Sequence, residues 1–461
     1  METNMTHGRP MPIILRFTIP LLLGNIFQQF YNMVDSVIVG KYVSPNALAA
    51  VGSTGTVMFL IIGLANGMAT GFTVLTSQKY GARDADGTKG SFANGVLLSA
   101  IVVVVITGLF LGLMNPLLHL MNTPADIYDD AYSYISTITA GTVALVFYNY
   151  FAASLRALGN SKTPLYFLIF SALLNIVLDL VFIIYFKLGT MGAALATDVS
   201  QGVSAILCLI YIYKKMDALR PERRHYRLDK RYTRKQLEIG IPMALQFGIT
   251  ASGTMVMQTA INVYGSVAVT GFTAASKVQN LMTQGMPSIG QTMAAYAGQN
   301  YGYHDMDRVH EGTKDAMILS VIYSIAAGLV CILILPYVIR LFFDSSVDLT
   351  AYMPYARVYC YECVVFYIPL AMIFIYRNTM QGCGYGMTAM MLGIVELVAR
   401  LAAAITSMGV AEYSDTIGYA LAAGADSIAW FLGGVAALVL YLRVKKDILR
   451  KWEFGHSRVG A

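Results

Sequence analysis

The chain has 461 residues, of which 56% are hydrophobic and only 13% are charged. Soluble domains carry about 25% charged residues, so most of this chain cannot face water. The composition excludes a disordered, collagen-like or disulfide-stabilised protein. The net charge of +6 would suit a nucleic-acid partner, but the distribution of the basic residues favours another explanation.

Apolar runs of about 20 residues are long enough to cross the ~30 Å hydrocarbon core of a bilayer as helices. The sequence contains twelve such runs, separated by loops rich in Gly, Pro, Asn, Asp or charged residues. We therefore predict an all-α integral membrane protein with twelve transmembrane helices. The predicted spans are 13–40, 46–77, 92–114, 130–153, 165–186, 191–213, 238–263, 267–299, 313–336, 352–376, 387–409 and 415–442.

Lysine and arginine residues are concentrated in alternate loops, which predicts the orientation of the helices. Ten lie in the segment 214–237 and six in the C-terminal tail. Ten more are assigned to the N-terminus and the loops after even-numbered helices: Arg9, Arg16, Lys79, Arg83, Lys89, Arg156, Lys162, Arg308, Lys314 and Arg377. The loops after odd-numbered helices hold four: Lys41, Lys187, Arg340 and Arg357. We expect a multi-pass plasma-membrane protein with both termini in the cytoplasm and a linker that contacts anionic lipids, not nucleic acid.

Three short markers recur at nearly constant spacing, which indicates an internal repeat. They are Ile19-Pro20 with Ile241-Pro242, Gln78-Lys79-Tyr80-Gly81 with Gln299-Asn300-Tyr301-Gly302, and Leu158-Gly159 with Gln381-Gly382, at offsets of 222, 221 and 223 residues. We predict an N-terminal six-helix lobe at 1–213, a basic cytoplasmic linker at 214–237, and a C-terminal six-helix lobe and tail at 238–461. Because each copy has an even number of helices, the two bundles should be related by a pseudo-two-fold axis along the membrane normal.

Acidic residues inside the predicted spans are costly, so each one indicates a possible functional site. Asp35 lies six residues before Lys41, about 9 Å inside the membrane boundary at ~1.5 Å per residue. Asp179 lies eight residues before Lys187, about 12 Å inside, and Asn175 is one helical turn before it on the same face. The first and fifth helices run in the same direction, so the two acids are expected at similar depth.

Thr197 and Asp198 fall at comparable depth on the sixth helix. Together these residues are predicted to converge as an ion-coupling site, because two close carboxylates in low dielectric need a shared proton or a cation. Their hard oxygen atoms suit a proton or sodium, and we predict no other metal site. The alternative is a buried polar network that only packs helices. Pro20 should kink the first helix, either as part of the transport cycle or for packing alone.

The second half carries different ionisable residues within its spans: Lys277, Glu362, Glu396, Arg400 and Asp426. Glu396 and Arg400 are spaced i,i+4, which predicts an ion pair on one helix face. Lys277 would form a second pair with Glu362 or Asp426, or line a cavity. Ion coupling is therefore expected in the first half only.

Several segments together resemble the multidrug and toxic compound extrusion (MATE) family. They are the end of the first helix, NMVDSVIVG at 32–40, the loop RALGNSKTP at 156–164, and their partners in the second half, GQNYG at 298–302 and QGCG at 381–384. The likeness extends from about residue 12 to 442, and its strength lies in the order and spacing of the motifs.

The resemblance implies secondary active efflux of organic, often cationic, compounds by alternating access. It places the ion-coupling roles on Asp35, Asn175, Asp179 and Thr197, and it suggests that Gln28 and Asn149 line the substrate cavity. We expect no enzymatic activity, since the spans hold no nucleophile–base pair or metal-binding set. We expect no cofactor beyond a coupling proton or sodium ion, and no use of ATP, since no Walker A motif is present. The expected partners are small-molecule substrates and membrane lipids, and the expected state is a monomer.

A lipid-linked saccharide flippase of the same superfamily is the alternative function. Such a protein would need a large and strongly basic cavity. The sequence offers few cations within its spans besides Lys277 and Arg400, so the efflux interpretation is favoured.

Overall fold

A computed structural model describes residues 4–121, 123–340 and 348–457 of the chain. Helices account for 89% of the protein, and no strand occurs in the part described. The prediction of an all-α protein is therefore confirmed. Since every backbone polar group must be satisfied within lipid, a helical chain is one of the few structures that can span a bilayer.

The chain divides into two compact units. Unit 1 comprises residues 1–8, 15–248 and 298–304, and unit 2 comprises residues 9–14, 249–297 and 305–461. The division places the basic linker and the first part of the helix that follows it in unit 1. Unit 1 gives way to unit 2 between residues 248 and 249, downstream of the predicted boundaries at 213 and 238.

Unit 1 is built mainly from the helices of the first half. Its helices are α1 (Pro10–Tyr42), α2 (Pro45–Ser53), α3 (Gly55–Gly81), α4 (Ala85–Leu120), α5 (Tyr128–Ala140), α6 (Thr142–Ala157), α7 (Lys162–Leu180) and α8 (Gly189–Lys215), with the start of α9 (Lys230–Asn262). A π-helical turn at Val181–Tyr185 extends α7, and the linker contains two short 3-10 turns. Large buried side chains such as Phe72, Phe92 and Tyr150 form its core.

Unit 2 repeats this organisation with the helices of the second half. They are the remainder of α9, then α10 (Gly265–Thr283), α11 (Gly285–Gly302, whose last residues belong to unit 1), α12 (Met306–Arg340), α13 (Met353–Val365), α14 (Tyr367–Gly382), α15 (Gly386–Ala411), α16 (Asp415–Ala423) and α17 (Ala425–Ser457). Its core contains Phe272, Tyr359, Tyr367 and Trp430.

Each of the twelve predicted spans coincides with helical structure, although several are interrupted. In the described part of the chain, nine helices are individually long and apolar enough to cross a membrane. Two more spans are bent pairs, α5 with α6 at 48° and α13 with α14 at 52°. The remaining predicted span, 267–299, consists of α10 and α11, neither of which meets that length and hydropathy requirement alone.

Helices extend beyond the predicted spans, so many of the basic residues that the sequence assigned to cytoplasmic loops lie within helices. Arg156 occupies the last turn of α6, and Arg377 is buried inside α14. Arg377 is therefore not a loop residue, and the side of the membrane on which these residues lie stays a prediction. Hydropathy alone predicts that a cation lies outside a membrane span. A buried acid can stabilise a cation inside one, and Arg377 has such a partner in Glu396 at 3.6 Å.

Backbone geometry supports the repeat and corrects one of its markers. Gly159 and Gly384 both adopt φ of 91°, which favours glycine, immediately after helices α6 and α14. The amide of each donates to the carbonyl three residues earlier, at 3.0 Å in the first half and 2.9 Å in the second. The third marker is therefore spaced by 225 residues, and pairing Gly159 with Gly382 was wrong.

Glycines bring α3 into close contact with α9 within unit 1. A Cβ atom at Gly67 would lie 2.6 Å from the Cα of Ala244, and a side chain at Gly71 would overlap the backbone of Gly240. The buried side chain of Gln236 on α9 donates to the carbonyl of Phe72 at 3.0 Å. The small residues allow the two backbones to approach closely. Such close packing matters between membrane helices, because apolar burial does not drive helices together in lipid.

The ends of α3 and α11 cross at two glycines that are related by the repeat. A Cβ at Gly81 would overlap the carbonyl of Gln299, and a Cβ at Gly302 would overlap the carbonyl of Gln78. All four residues belong to unit 1. The reciprocal crossing explains why the QxxG spacing occurs in both halves.

We predict that Gly81→Ala or Gly302→Ala destabilises the purified protein by about 1–3 kcal/mol, since the backbones must separate to admit the methyl group. Thermal unfolding in detergent measures the effect. Gly108→Ala is the matched control, because nothing lies within 4 Å of its Cβ position on α4, and it should be neutral or slightly stabilising. Equal effects at all three positions would contradict the packing described here.

Candidate functional site

Three helices of unit 1 bring together residues that the sequence predicts as a site. Asn175 and Asp179 lie one turn apart on α7, and both are fully buried. The Asn175 amide donates to Thr197 Oγ1 on α8 at 3.3 Å. Asp35, on α1, completes the group and is partly exposed. We refer to Asp35, Asn175, Asp179 and Thr197 as the polar cluster.

The carboxyl groups of Asp35 and Asp179 are neighbours that interact with each other. Two ionised carboxylates have no proton to donate, so a hydrogen bond between them requires that one of them is protonated. Among the described residues, no donor reaches the buried oxygens Asp35 Oδ1, Asp179 Oδ1, Asp179 Oδ2 or Asn175 Oδ1. Four buried acceptor atoms without donors therefore belong to three neighbouring side chains.

This arrangement has a direct chemical consequence. A buried acceptor without a partner costs free energy, and a buried charge without a partner costs more. A proton shared by the carboxyl pair, or a small hard cation among the oxygens, removes that cost. The cluster is thus suited to bind a proton or sodium and not a soft transition metal.

Two tyrosines that the sequence analysis missed lie beside the polar cluster. The Tyr31 hydroxyl is 3.4 Å from Thr197 Oγ1, and Tyr134, buried on α5, lies near Asp35 and Asp179. Tyr31 precedes Asp35 by one helical turn, so its i,i+4 spacing could have identified it. No local spacing links Tyr134 to α1, because only the tertiary fold brings α5 to this position.

The helix that carries Asn175 and Asp179 changes its hydrogen-bonding pattern directly after them. The π-helical turn at Val181–Tyr185 begins two residues beyond Asp179. Such turns are rare and occur frequently at functional sites. The regular hydrogen-bonding pattern of α7 therefore ends directly beside the polar cluster.

Asp198 follows Thr197 on α8 but faces another element. Its carboxyl group packs against Gly141, where a Cβ atom would overlap it. Gly141 is the residue at which α5 ends and α6 begins, so Asp198 lies at the 48° bend of this span. Asp198 also lies near Tyr31 and Tyr134, the two tyrosines beside Asp35 and Asp179, and its predicted role in ion coupling is untested.

The remaining predicted positions lie elsewhere in unit 1. Gln28 is exposed on α1, and the Asn149 amide on α6 donates to the Leu145 carbonyl at 2.9 Å. Their roles in lining a substrate cavity stay predictions. Pro20 is buried inside α1, which continues as one helix from Pro10 to Tyr42, and its predicted function in a kink is likewise untested.

The acids of the second half lie in unit 2 and are arranged differently. The predicted ion pair of Glu396 with Arg400 is confirmed, at 3.6 Å. Asp426 pairs with Arg400 at 2.7 Å, which explains this acid without Lys277. Arg377, which sequence reasoning assigned to a loop, is the second cation beside Glu396.

Comparison with known proteins identifies the family. The MatE family model matches residues 20–181 and 242–406 of this chain, one match in each half. "Probable multidrug resistance protein YpnP" of Bacillus subtilis (strain 168) is 31% identical over 66% of this chain and 68% of its own length. "Probable multidrug resistance protein YoeA" of the same organism is 28% identical over 72% of this chain and 75% of its own.

The fold agrees with the same assignment. A solved structure described as an outward-facing conformation of a multidrug resistance MATE family transporter of the MOP superfamily superimposes with a TM-score of 0.88 at 24% identity. The match covers 98% of this chain and 99% of that one. The prediction of twelve transmembrane helices in two bundles is confirmed. The chain belongs to the multidrug and toxic compound extrusion (MATE) family of membrane transporters, and it is not an enzyme.

Proposed function

We propose that this protein exports organic, often cationic, compounds in exchange for protons or sodium by alternating access. The observation that carries the proposal is the set of four buried acceptor oxygens without a described donor on Asp35, Asn175 and Asp179. A structural network would satisfy these atoms from within the protein. Oxygens that the protein leaves unsatisfied are suited to an ion that enters and leaves.

The charge of the polar cluster supplies the coupling. When Asp35 and Asp179 share a proton or hold a cation, less uncompensated charge is buried, and the packing of α1 against α7 and α8 is stabilised. When the ion leaves, repulsion between the two carboxylates opposes that packing. A ligand shifts an equilibrium between two conformations only through its different affinity for them, and this pair provides such a difference.

The names of the relatives support the class of substrate. Both Bacillus subtilis relatives are named as probable multidrug resistance proteins, so we extend that substrate class to this chain. Of the 461 residues, 25 are methionine and 30 are tyrosine. Flexible methionine and amphipathic tyrosine side chains suit a surface that accepts compounds of different shape.

We further propose a plasma-membrane location, with both termini and the basic linker in the cytoplasm. Of the linker cations, Arg223, Arg227 and Lys235 are exposed and make no ion pair with the described residues, as expected for a surface beside anionic headgroups. The protein would act as a monomer on small molecules and would not bind nucleic acid.

We expect that Asp35→Asn or Asp179→Asn removes the drug resistance that the protein confers on a sensitive host. An amide has nearly the same size as the carboxyl group, but it neither carries the negative charge nor takes up the proton. Drug resistance is measured by growth inhibition, with membrane expression quantified in parallel. Asp129→Asn is the matched control, since Asp129 is an exposed acid in the first turn of α5. Full resistance in both cluster variants would refute the proposal.

Proteoliposomes distinguish the coupling ion and the competing function. We expect uptake of a fluorescent organic cation when a pH gradient or a sodium gradient is imposed separately, with the response lost in Asp179→Asn. Movement of a lipid-linked saccharide, with no gradient-driven movement of the cation, would instead establish the flippase alternative. Ion flux without substrate dependence would indicate a channel.

A further inference from the structure

Unit 2 contains four charged side chains that are buried together inside its helices. Arg400 Nε donates to Asp426 Oδ1 at 2.7 Å, and an Arg400 terminal nitrogen lies 3.6 Å from Glu396. Arg377 lies 3.6 Å from the other Glu396 oxygen. All four residues are between 5% and 8% exposed. Two positive and two negative charges leave the group neutral, and we refer to it as the ion cluster.

The helices packed around Arg400 leave space for its side chain. Few other titratable groups of the described residues lie near it. A Cβ at Gly253 on α9 would lie 3.1 Å from Arg400 Cδ. On α13, the Tyr359 hydroxyl donates to Asp426 Oδ2 at 3.4 Å, and the buried thiol of Cys363 lies near Asp426. Arg377 on α14, Glu396 on α15 and Asp426 on α17 complete the titratable and charged groups found near the guanidinium among the described residues.

The internal repeat gives the equivalent positions in the two units. Gly159 and Gly384, which share φ of 91°, set an offset of 225 between α7 and α15. At that offset, Asn175 corresponds to Arg400, and Asp179 corresponds to Ala404, which is 1% exposed.

In unit 2, apolar residues also occupy the positions equivalent to Asp35 and Thr197. Pro20 and Pro242, inside α1 and α9, set an offset of 222 that relates Asp35 to Met257. The starts of α8 and α16 set an offset of 226 that relates Thr197 to Ala423. Unit 2 therefore has no counterpart of the carboxyl pair at these positions, and it has a guanidinium where unit 1 has an amide.

We propose that Arg400 is a tethered cation that, together with Arg377, permanently neutralises Glu396 and Asp426, so that unit 2 takes up no coupling ion. A guanidinium is always charged and cannot leave, unlike a proton or sodium. Removing one partner of a buried ion pair is strongly destabilising, because it leaves an uncompensated charge. The statement that unit 2 takes up no coupling ion rests on the proposed function. The statement that Arg400 stabilises the two buried acids does not depend on it.

The test replaces the guanidinium with an apolar side chain of similar length. Arg400→Met is made in a protein that already carries Asp35→Asn and Asp179→Asn, so that ions bound at unit 1 do not contribute. Thermal unfolding of the purified protein in detergent is followed at about pH 8 and about pH 5, each with sodium chloride or choline chloride.

We expect Arg400→Met to lower the unfolding midpoint at the higher pH by roughly 5 °C or more. Acidification should restore much of this loss, because a proton removes the one negative charge that Arg377 leaves uncompensated, and sodium should restore part of it at the higher pH. The parent protein should show neither gain. The proposal would be overturned if acid or sodium raised the unfolding midpoint of Arg400→Met no more than that of the parent. It would also be overturned if Arg400→Met had the same midpoint as the parent.

Two further variants keep the test decisive if Arg400→Met does not fold. Arg400→Met with Asp426→Asn leaves Glu396 paired with Arg377, so it should fold, be more stable than Arg400→Met and lose the acid gain. Arg400→Lys keeps the charge and should resemble the parent. A double variant no more stable than Arg400→Met would overturn the proposal. Transport assays are not used, so these outcomes are independent of whether the proposed efflux is found.

Discussion

The account depends on two carboxyl groups that lie side by side in an apolar helical bundle. Asp35 and Asp179 are close enough to share a proton, yet three of their oxygens meet no donor among the described residues. In water such a pair would be solvated; between membrane helices it is stable only when a proton or cation joins it. On the proposed function, this pair ties the stability of unit 1 to the presence of an ion, as a transporter driven by an ion gradient requires.

The surrounding structure holds this pair in place and allows local change beside it. The glycine contacts of α3 with α9 leave no space between the two backbones. The polar cluster, in contrast, adjoins two irregular places: the π-helical turn after Asp179 and the bend at Gly141, which Asp198 contacts. Unit 2 has similar helices but its own buried arginines beside its acids, so on the two proposals the same fold holds a replaceable charge in one unit and a fixed charge in the other.

Hydropathy and spacing predicted a large part of this structure. The spans follow from runs of apolar residues, and Asn175 and Asp179 were placed on one face because helical neighbours recur every four residues. The depth of Asp35 in the bilayer, inferred from its distance to Lys41, stays a prediction. Each of these inferences uses only local geometry or the fixed thickness of the bilayer.

The features that sequence reasoning missed are those created by tertiary contact. Tyr134 reaches the acids because α5 packs beside α1, and Arg377 is buried because Glu396 lies on a neighbouring helix. The shift of the repeat offset from 222 at Pro20 to 225 at Gly159 comes from insertions between the markers. Only the matching φ of 91° at Gly159 and Gly384 revealed it.

Infrared difference spectroscopy of the purified protein tests the central claim most directly, since a protonated carboxyl group has its own carbonyl stretching band. We expect the Asp35–Asp179 pair to contribute the band of a buried, protonated carboxyl in the sodium-free protein. That band should weaken on deprotonation or on addition of sodium, and it should be lost when both Asp35 and Asp179 are replaced by asparagine. A spectrum that does not respond to protons or sodium, or that keeps the band in the doubly substituted protein, would contradict the account.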